Sequence, residues 1–119
     1  MEDSDLDGIY IATPHNFHAE NTILALKAGK PVLCEKPFAI NTTEVELMVD
    51  VATKNQLTLV EAMWTRFLPH IDKVRKIIES GVLGKIQTLQ ADHGQYLSDL
   101  KNPRIWEPAL GGGALLDLG

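Results

Sequence analysis

The sequence predicts an α/β fold: the C-terminal half of a doubly wound parallel sheet, followed by the start of an α+β second domain. Three short apolar runs recur at similar intervals, and each has the length and residue types of a buried strand: 8–12, 31–34 and 57–60. Helical patterns separate them. Strands that alternate with helices across short turns indicate right-handed crossovers and a parallel sheet with both faces covered.

Two helices are predicted between the three strands. Pro14 and Asn16 mark the start of the first helix and Gly29 its end. Its apolar stripe consists of Phe17, Ile23, Leu24 and Ala28. The stripe of the second helix consists of Val45, Met48, Val49 and Ala52. Thr43 and Glu46, three residues apart, predict a capping box at the start of this second helix.

The pattern changes after residue 60. We place a domain boundary near Trp64, which divides the chain into a first domain of residues 1–64 and a second of 65–119. In the second domain Pro69 opens a helix that has Ile71, Val74 and Ile78 on one face and that ends at Gly81 and Gly84. Residues 85–95 alternate in polarity, which predicts a strand with one face in water.

Composition narrows the classes of function. The chain has 119 residues, 45% of them hydrophobic and 23% charged, which is typical of a globular domain. Its net charge is −5, and four of its 16 acids lie within the first seven residues, so no basic surface favours nucleic acid. The single cysteine, Cys34, lies in an apolar run and fits a reducing cytosol. We expect a soluble cytoplasmic protein without a metal site or a membrane segment.

Polar side chains follow each predicted strand. The three strands end in 13–15, 35–37 and 61–64, and each of these segments has groups that can bind or stack on a ligand. Ligands of open parallel sheets bind outside the carboxyl ends of the strands. We therefore expect Thr13, Lys36 and Asp117 to converge on one cleft.

Lys36 is the sharpest candidate for chemistry. It lies between a buried strand and Pro37, so its main chain is constrained and its ammonium group extends from a fixed point. Such a group can polarise a substrate oxygen or relay its proton; the alternative is a solvated lysine. Alternation along the strand directs Glu35 to the opposite face, so these two residues are expected to have separate partners.

Four other residues have both a binding and a structural interpretation. His15 and His18 lie one turn apart at the start of the first helix and could bind a ligand, or could hold the helix entry. Trp64 and Arg66 could offer an apolar wall and a fixed cation near the domain boundary. The alternative for Trp64 is packing between domains.

The triple glycine at 111–113 follows a polar loop, and no lysine and hydroxyl residue succeed it, so it is not a P-loop. It is expected to be a turn that closely approaches a ligand or another backbone segment. Asp117, in the helical segment after it, could face the cleft or be an ordinary helical acid.

Together these motifs resemble a known family. Glu35-Lys36-Pro37 after an apolar strand, the earlier Thr13-Pro14 turn with His18, and the helix ending in Ala28-Gly29-Lys30 resemble the nicotinamide-binding Rossmann half of the glucose–fructose oxidoreductase / inositol dehydrogenase (Gfo/Idh/MocA) family. The run from Gly111 to Gly119 resembles its second-domain motif. The histidine pair and the run 61–67 are similar to the dihydrodiol dehydrogenase branch.

The resemblance implies a hydride transfer between NAD or NADP and a secondary alcohol or ketone of a sugar, polyol or trans-dihydrodiol. It implies that Lys36 is catalytic and that Asp117 and Trp64 bind the substrate. The cofactor-binding residues it implies are Thr13, Pro14, His15, His18, Glu35, Lys36, Pro37, Trp64 and Arg66. The full protein is expected to be a homo-oligomer.

Two features of the family pattern are missing from the sequence. No Gly-rich pyrophosphate turn precedes the first strand, and the family's His or Tyr that works with the lysine would follow Gly119. We therefore expect an internal fragment of the enzyme. One alternative is a dinucleotide or sugar sensor without turnover, which would not need the proton relay that Lys36 provides. The other is an inactive truncated product.

Overall fold

The structure is a computed structural model that describes residues 3–96 and 102–118. These residues form two compact units. The first contains the described residues up to Ala62 together with 102–118, and the second contains 63–96. No helix in the described part of the chain is long and apolar enough to cross a membrane.

A three-stranded parallel sheet forms the centre of the first unit. Its strands are β1 (Ile9–Ile11), β2 (Val32–Cys34) and β3 (Leu59–Glu61), paired in the order β1-β2-β3. Ile9 pairs with Val32, and Val32 pairs with Leu59. The three strands and their parallel direction are as the apolar runs predict.

Helix α1 (His18–Lys27) follows a short 3₁₀ turn, and its buried face differs from the predicted one. Phe17 and Leu24 are 44% and 50% exposed. The buried residues of the helix are instead His18, Ala19, Thr22, Ala25 and Leu26. Of the predicted stripe, Ile23 packs against the core. The prediction was wrong for Phe17 and Leu24, because two of the residues that the helix buries instead are polar. Gly29 ends the helix region with a φ of +76°, a conformation that favours glycine.

Helix α2 (Thr42–Lys54) has its cap two residues before the predicted one. The Asn41 side chain accepts a hydrogen bond from the Glu44 main-chain N–H at 2.9 Å, and Glu44 Oε2 accepts one from the Ile40 N–H at 3.2 Å. The cap is therefore Asn41 with Glu44, and not Thr43 with Glu46. Met48 and Ala52 are buried as predicted.

Both helices share one apolar core with a single face of the sheet. The core residues on the strands are Ile11, Val32 and Cys34. On the other face Tyr10, Leu33 and Val60 are 57%, 42% and 40% exposed. An open apolar cavity of about 430 Å³ lies there. The prediction that both faces are covered is therefore wrong for the described residues, since no helix among them packs on the second face.

The second unit contains a short 3₁₀ turn (Trp64–Phe67) and helix α3 (Pro69–Glu79). Pro69 occupies the first turn, where its missing N–H has no helical partner to lose, and Gly81 follows the helix with a φ of +73°. The helix is as predicted. The predicted strand over 85–95 is not formed in the described residues, since no segment among them pairs with it.

The segment 102–118 returns to the first unit as three short elements. Helix α4 (Pro103–Trp106) and helix α5 (Ala114–Asp117) flank a 3₁₀ turn (Pro108–Leu110). The glycine turn leads into α5. This segment brings Asp117 to the sheet.

Candidate active site

A polar cleft in the first unit lies at the carboxyl ends of β1 and β2. Its cavity of about 180 Å³ is lined by Ala12, Thr13, His15, His18, Glu35, Lys36, Arg104 and Asp117. Thr13, Lys36 and Asp117 thus converge as the sequence predicts. The cavity of about 430 Å³ is apolar and lies on the exposed face of the sheet, so the polar cleft is the better candidate for an active site.

Lys36 is paired with Asp117 in this cleft. Its Nζ donates to the main-chain oxygen of Asp117 at 2.5 Å and to Oδ1 of the same residue at 3.2 Å. The side chains of the pair are 30% and 22% exposed. The Lys36–Pro37 peptide bond is cis. An ammonium group has three N–H donors, so Asp117 occupies two and leaves one for a ligand oxygen.

Glu35 has a different partner. The Tyr10 hydroxyl donates a hydrogen bond to Glu35 Oε1, and the Lys36 main-chain N–H donates to Oε2 at 3.2 Å. The hydrogen bond to Glu35 raises the pKa of Tyr10, because it favours the protonated phenol. Lys36 makes its ion pair with Asp117 and not with Glu35, as expected. Both side chains nevertheless line the same cleft, so the opposite faces predicted from alternation are not found, because the two residues follow the last residue of β2.

The glycine turn approaches another part of the main chain closely. His15 Nδ1 donates to the Gly111 carbonyl oxygen at 2.9 Å. A Cβ on Gly111 would lie 2.8 Å from the Cβ of His15 and 3.0 Å from Cγ2 of Ile40, and the φ of Gly111 is +73°. A Cβ on Gly112 would lie 2.9 Å from the main-chain nitrogen of Glu107. Glycine is therefore required on steric grounds at both positions.

His18 is completely buried and contacts the main chain on both sides. Its Nδ1 lies 2.7 Å from the Pro37 carbonyl oxygen, and its Nε2 lies 2.8 Å from the Thr13 carbonyl oxygen. The rings of His15 and His18 meet edge to face, with their centroids 5.7 Å apart. Both histidines thus connect turns that are distant in the sequence, and their contact with a cofactor stays a prediction.

The other predicted site residues lie in two places. Pro14 precedes the 3₁₀ turn and its carbonyl accepts from the Phe17 N–H at 2.9 Å, so it lies beside the cleft residues of the first unit. Trp64 and Arg66 lie in the second unit, where Trp64 is 61% exposed. A role for Trp64 and Arg66 in binding stays a prediction.

Three further residues contribute to the site: Arg104 and Tyr10, which the sequence did not single out, and Glu61, which it included only as part of the segment 61–64. Arg104, on α4, lines the cleft. Tyr10 binds Glu35, and Glu61 Oε1 accepts a hydrogen bond from the Phe38 N–H at 2.9 Å, which fixes the chain just after Pro37. Arg104 had no periodic signal, since the short segment around it has the sequence pattern of a polar loop although it forms α4 in the structure. The position of Glu61 at the end of a predicted strand was the signal that could have placed it beside the Lys36 turn.

Cys34 is fully buried beneath the cleft, as its apolar run predicts. Burial raises the pKa of its thiol, because the thiolate would lose its hydration. The thiol donates weakly to the Phe38 carbonyl at 3.8 Å. It therefore acts as a small core residue.

Comparison with known families matches both parts of the chain. Residues 1–63 match the GFO_IDH_MocA oxidoreductase family with its NAD-binding Rossmann fold, and residues 71–119 match the GFO/IDH/MocA C-terminal domain.

Two relatives resemble nearly the whole chain. The D-xylose 1-dehydrogenase (NADP(+)) of Hypocrea jecorina is 42% identical over 100% of this chain and 32% of its own length. The trans-1,2-dihydrobenzene-1,2-diol dehydrogenase of Bos taurus is 41% identical over 99% of this chain and 35% of its own. The chain thus spans about a third of the length of these relatives.

Solved structures agree with the sequence relatives. The aldose-aldose oxidoreductase from Caulobacter crescentus, complexed with glycerol, superposes with a TM-score of 0.88 and 34% identity over 98% of this chain and 35% of that one. A 3-ketoreductase from Actinomadura kijaniata in complex with NADP gives a TM-score of 0.64 and 34% identity over 71% of this chain and 27% of that one. The fold, the cleft at the strand ends and these matches lead to one conclusion: the chain belongs to the Gfo/Idh/MocA family of NAD(P)-dependent oxidoreductases.

Proposed function

We propose that the chain is part of a longer enzyme that transfers a hydride between NADP or NAD and a secondary alcohol of a sugar or a trans-dihydrodiol. The observation that carries this proposal is the Lys36 ammonium group, held by Asp117 in a cleft at the carboxyl ends of parallel strands. The named activities of the xylose and dihydrodiol dehydrogenases support the substrate class.

The residues of the cleft fit one end of a nicotinamide dinucleotide. Its volume of about 180 Å³ is below the roughly 300–1,000 Å³ of pockets that enclose a whole small ligand. The lining offers hydrogen-bond donors and acceptors, with two carboxylates and two cations. Thr13, Pro14, Glu35 and Pro37 would therefore border the nicotinamide end, and the rest of the cofactor would need other parts of the full-length protein.

Lys36 would bind the reacting oxygen of the substrate. The N–H that Asp117 leaves unused would donate to the substrate hydroxyl or carbonyl oxygen. In the direction of reduction, negative charge would develop on this oxygen as hydride adds to the carbonyl carbon; the Lys36 ammonium group would stabilise that charge and donate the proton that completes the hydroxyl. In the direction of oxidation, the neutral Lys36 amine would accept the hydroxyl proton while the hydride leaves the same carbon. The bound nicotinamide supplies or accepts the hydride.

Asp117 would have two roles in the same cleft. It orients the Lys36 ammonium group through its main-chain oxygen, and its carboxylate can accept a hydrogen bond from a neighbouring hydroxyl of a sugar or diol. A substrate with two adjacent hydroxyl groups fits this pairing of a donor and an acceptor. From the resemblance we also propose that Trp64 and Arg66 bind the cofactor and that Trp64 binds the substrate.

We also propose a cytoplasmic setting for the full-length protein. The buried, unpaired Cys34 thiol suits the reducing cytoplasm. The near balance of charge around the cleft suits a small neutral substrate better than nucleic acid or a membrane surface. The full-length protein would form a homo-oligomer.

The experiment is a substrate and cofactor survey with the full-length protein. NADP⁺ or NAD⁺ reduction is followed at the nicotinamide absorbance band with D-xylose and with trans-1,2-dihydrobenzene-1,2-diol. We expect turnover of at least one of them and a preference for NADP⁺, the cofactor named for the xylose dehydrogenase. Saturable NADPH binding without turnover of any sugar, polyol or diol would contradict the proposal and favour a sensor.

A further inference from the structure

Tyr10 and Glu35 are joined across the first two strands. The main-chain N–H of Glu35 donates to the Ile11 carbonyl oxygen at 2.9 Å, so the chain at Glu35 still runs beside β1. In the pairing of the two strands Tyr10 lies opposite Leu33, two residues before Glu35. The Tyr10 side chain therefore reaches Glu35 along the sheet, and its hydroxyl donates to Glu35 Oε1.

The Glu35 carboxylate keeps unused acceptor sites inside the cleft. Its two oxygens offer about four such sites, and the described part of the chain occupies one on each: Tyr10 on Oε1 and the Lys36 main-chain N–H on Oε2. The Lys36 ammonium group pairs with Asp117 and not with this carboxylate. Since Glu35 lines the cleft, its remaining sites are available to a donor group of a ligand.

Tyr10 does not need Glu35 for its own hydration. Its side chain is 57% exposed on the open face of the sheet, and it is not among the described residues that line the polar cleft. Water could therefore bind the phenol hydroxyl in place of the carboxylate. The consequence of this hydrogen bond is that it fixes a glutamate side chain, which would otherwise rotate freely about its three side-chain bonds.

We propose that Tyr10 is a positioning residue whose hydroxyl holds the Glu35 carboxylate so that it accepts a hydrogen bond from the nicotinamide carboxamide. The inference rests on the proposed function, which puts the nicotinamide end of the cofactor in this cleft. The carboxamide carries the N–H donors of the nicotinamide ring, and a carboxylate only accepts hydrogen bonds. A carboxylate that is already oriented binds this donor without a further loss of side-chain entropy.

A modified cofactor tests the carboxamide contact in the full-length protein. The 3-acetylpyridine analogue of NADP⁺ keeps the carbonyl group but has a methyl group in place of the amide NH₂, so it cannot donate to Glu35. Calorimetric titration gives the Kd of both dinucleotides. Because a hydrogen bond to a charged group changes Kd by about 10- to 100-fold, we expect the unmodified protein to prefer NADP⁺ by that factor. Equal affinities would overturn the proposal.

Tyr10→Phe tests the positioning role, since it removes only the hydroxyl from a residue outside the buried core. We expect the preference for NADP⁺ to fall by about threefold to tenfold, because an unheld Glu35 must be ordered when the cofactor binds. The matched control is Tyr96→Phe, the same change at a tyrosine that is 82% exposed in the second unit, and it should keep the full preference. An unchanged preference in Tyr10→Phe would refute the positioning role.

A double variant separates an action through Glu35 from a general structural effect. Glu35→Ala should bring the two affinities close together, and adding Tyr10→Phe should not weaken NADP⁺ binding any further. A further loss of affinity in the double variant would mean that Tyr10 acts by another route, which contradicts the proposal. All these quantities are binding constants, so NADP⁺ binding without turnover would count against the proposed function alone.

Discussion

Alanine at Gly111 should destabilise the full-length protein more than alanine at Gly81, although both glycines have a φ of +73°. The left-handed conformation alone costs an alanine about 1–2 kcal/mol, and this cost is common to both positions. Around Gly81 an added Cβ meets nothing within 4 Å. At Gly111 the added Cβ would lie 2.8 Å from the Cβ of His15. The His15 Cβ can move away only if the 3₁₀ turn that carries it moves as well.

Overpacking of this kind costs about 1–3 kcal/mol. Gly111→Ala should therefore lose roughly 2–5 kcal/mol of unfolding free energy, and Gly81→Ala roughly 1–2 kcal/mol. Equilibrium urea unfolding of the two variants and the unmodified protein measures both losses. Equal losses would show that the glycine turn does not pack against His15, and would refute the geometry assigned to this side of the cleft.

Three further predictions concern the cap, the core thiol and the bare sheet face. Asn41→Ala should cost about 1 kcal/mol of unfolding free energy while Thr43→Ala costs clearly less, because Asn41 is the observed cap; urea unfolding of both variants decides between the two capping boxes. Burial raises the pKa of Cys34, so its contribution to stability is fully present below the unfolded thiol pKa of about 8.5 and is lost as pH rises through the folded value. The free energy of unfolding, measured from pH 7.5 upward, should therefore fall as the thiol of the unfolded chain ionises. A fall of the same size in Cys34→Ala would show that Cys34 is not its cause. The 119-residue chain alone should self-associate through the exposed face of Tyr10, Leu33 and Val60 and the free edge of β1, and should not bind NADPH tightly; a soluble monomer with saturable low-micromolar binding in a fluorescence titration would refute this.

Much of the fold could be predicted because its signals are local. The three β-rich apolar runs, the helix ends at Gly29 and Gly81 and the helix start at Pro69 follow from residue types at single positions. The phase of α1 could not be found in this way, because His18 and Thr22 are polar and are buried through contacts made elsewhere in the chain. The strand over 85–95 failed because a strand depends on a partner, which the alternation does not reveal.

In the candidate site, too, some residues could be placed from local signals and others could not. Lys36 and Thr13 could be placed at one edge from the rule that parallel strands end together. Asp117 lies 81 residues from Lys36 in sequence, and its contact depends on the glycine turn that approaches His15. Arg104 gave no signal, because a single arginine in a polar loop has no pattern until the loop is folded. The binding roles of Trp64 and Arg66 stay predictions from the resemblance.

The role of Lys36 as the group that transfers the proton is tested most directly by Lys36→Met in the full-length protein. Methionine keeps an unbranched side chain but has no charge and no N–H. Lys54→Met is the matched control, since Lys54 is exposed and, within the described part of the chain, its ion pair is with Asp50 of the same helix.

Steady-state kinetics with the preferred substrate, together with NADPH binding, gives both quantities that matter. General acid–base groups contribute about 10²–10⁴ to rate, so we expect kcat of Lys36→Met to fall by at least about 100-fold, with the cofactor Kd changed by less than about tenfold. Lys54→Met should keep the rate of the unmodified enzyme. Near-normal turnover in Lys36→Met would contradict the account and make Lys36 a structural residue.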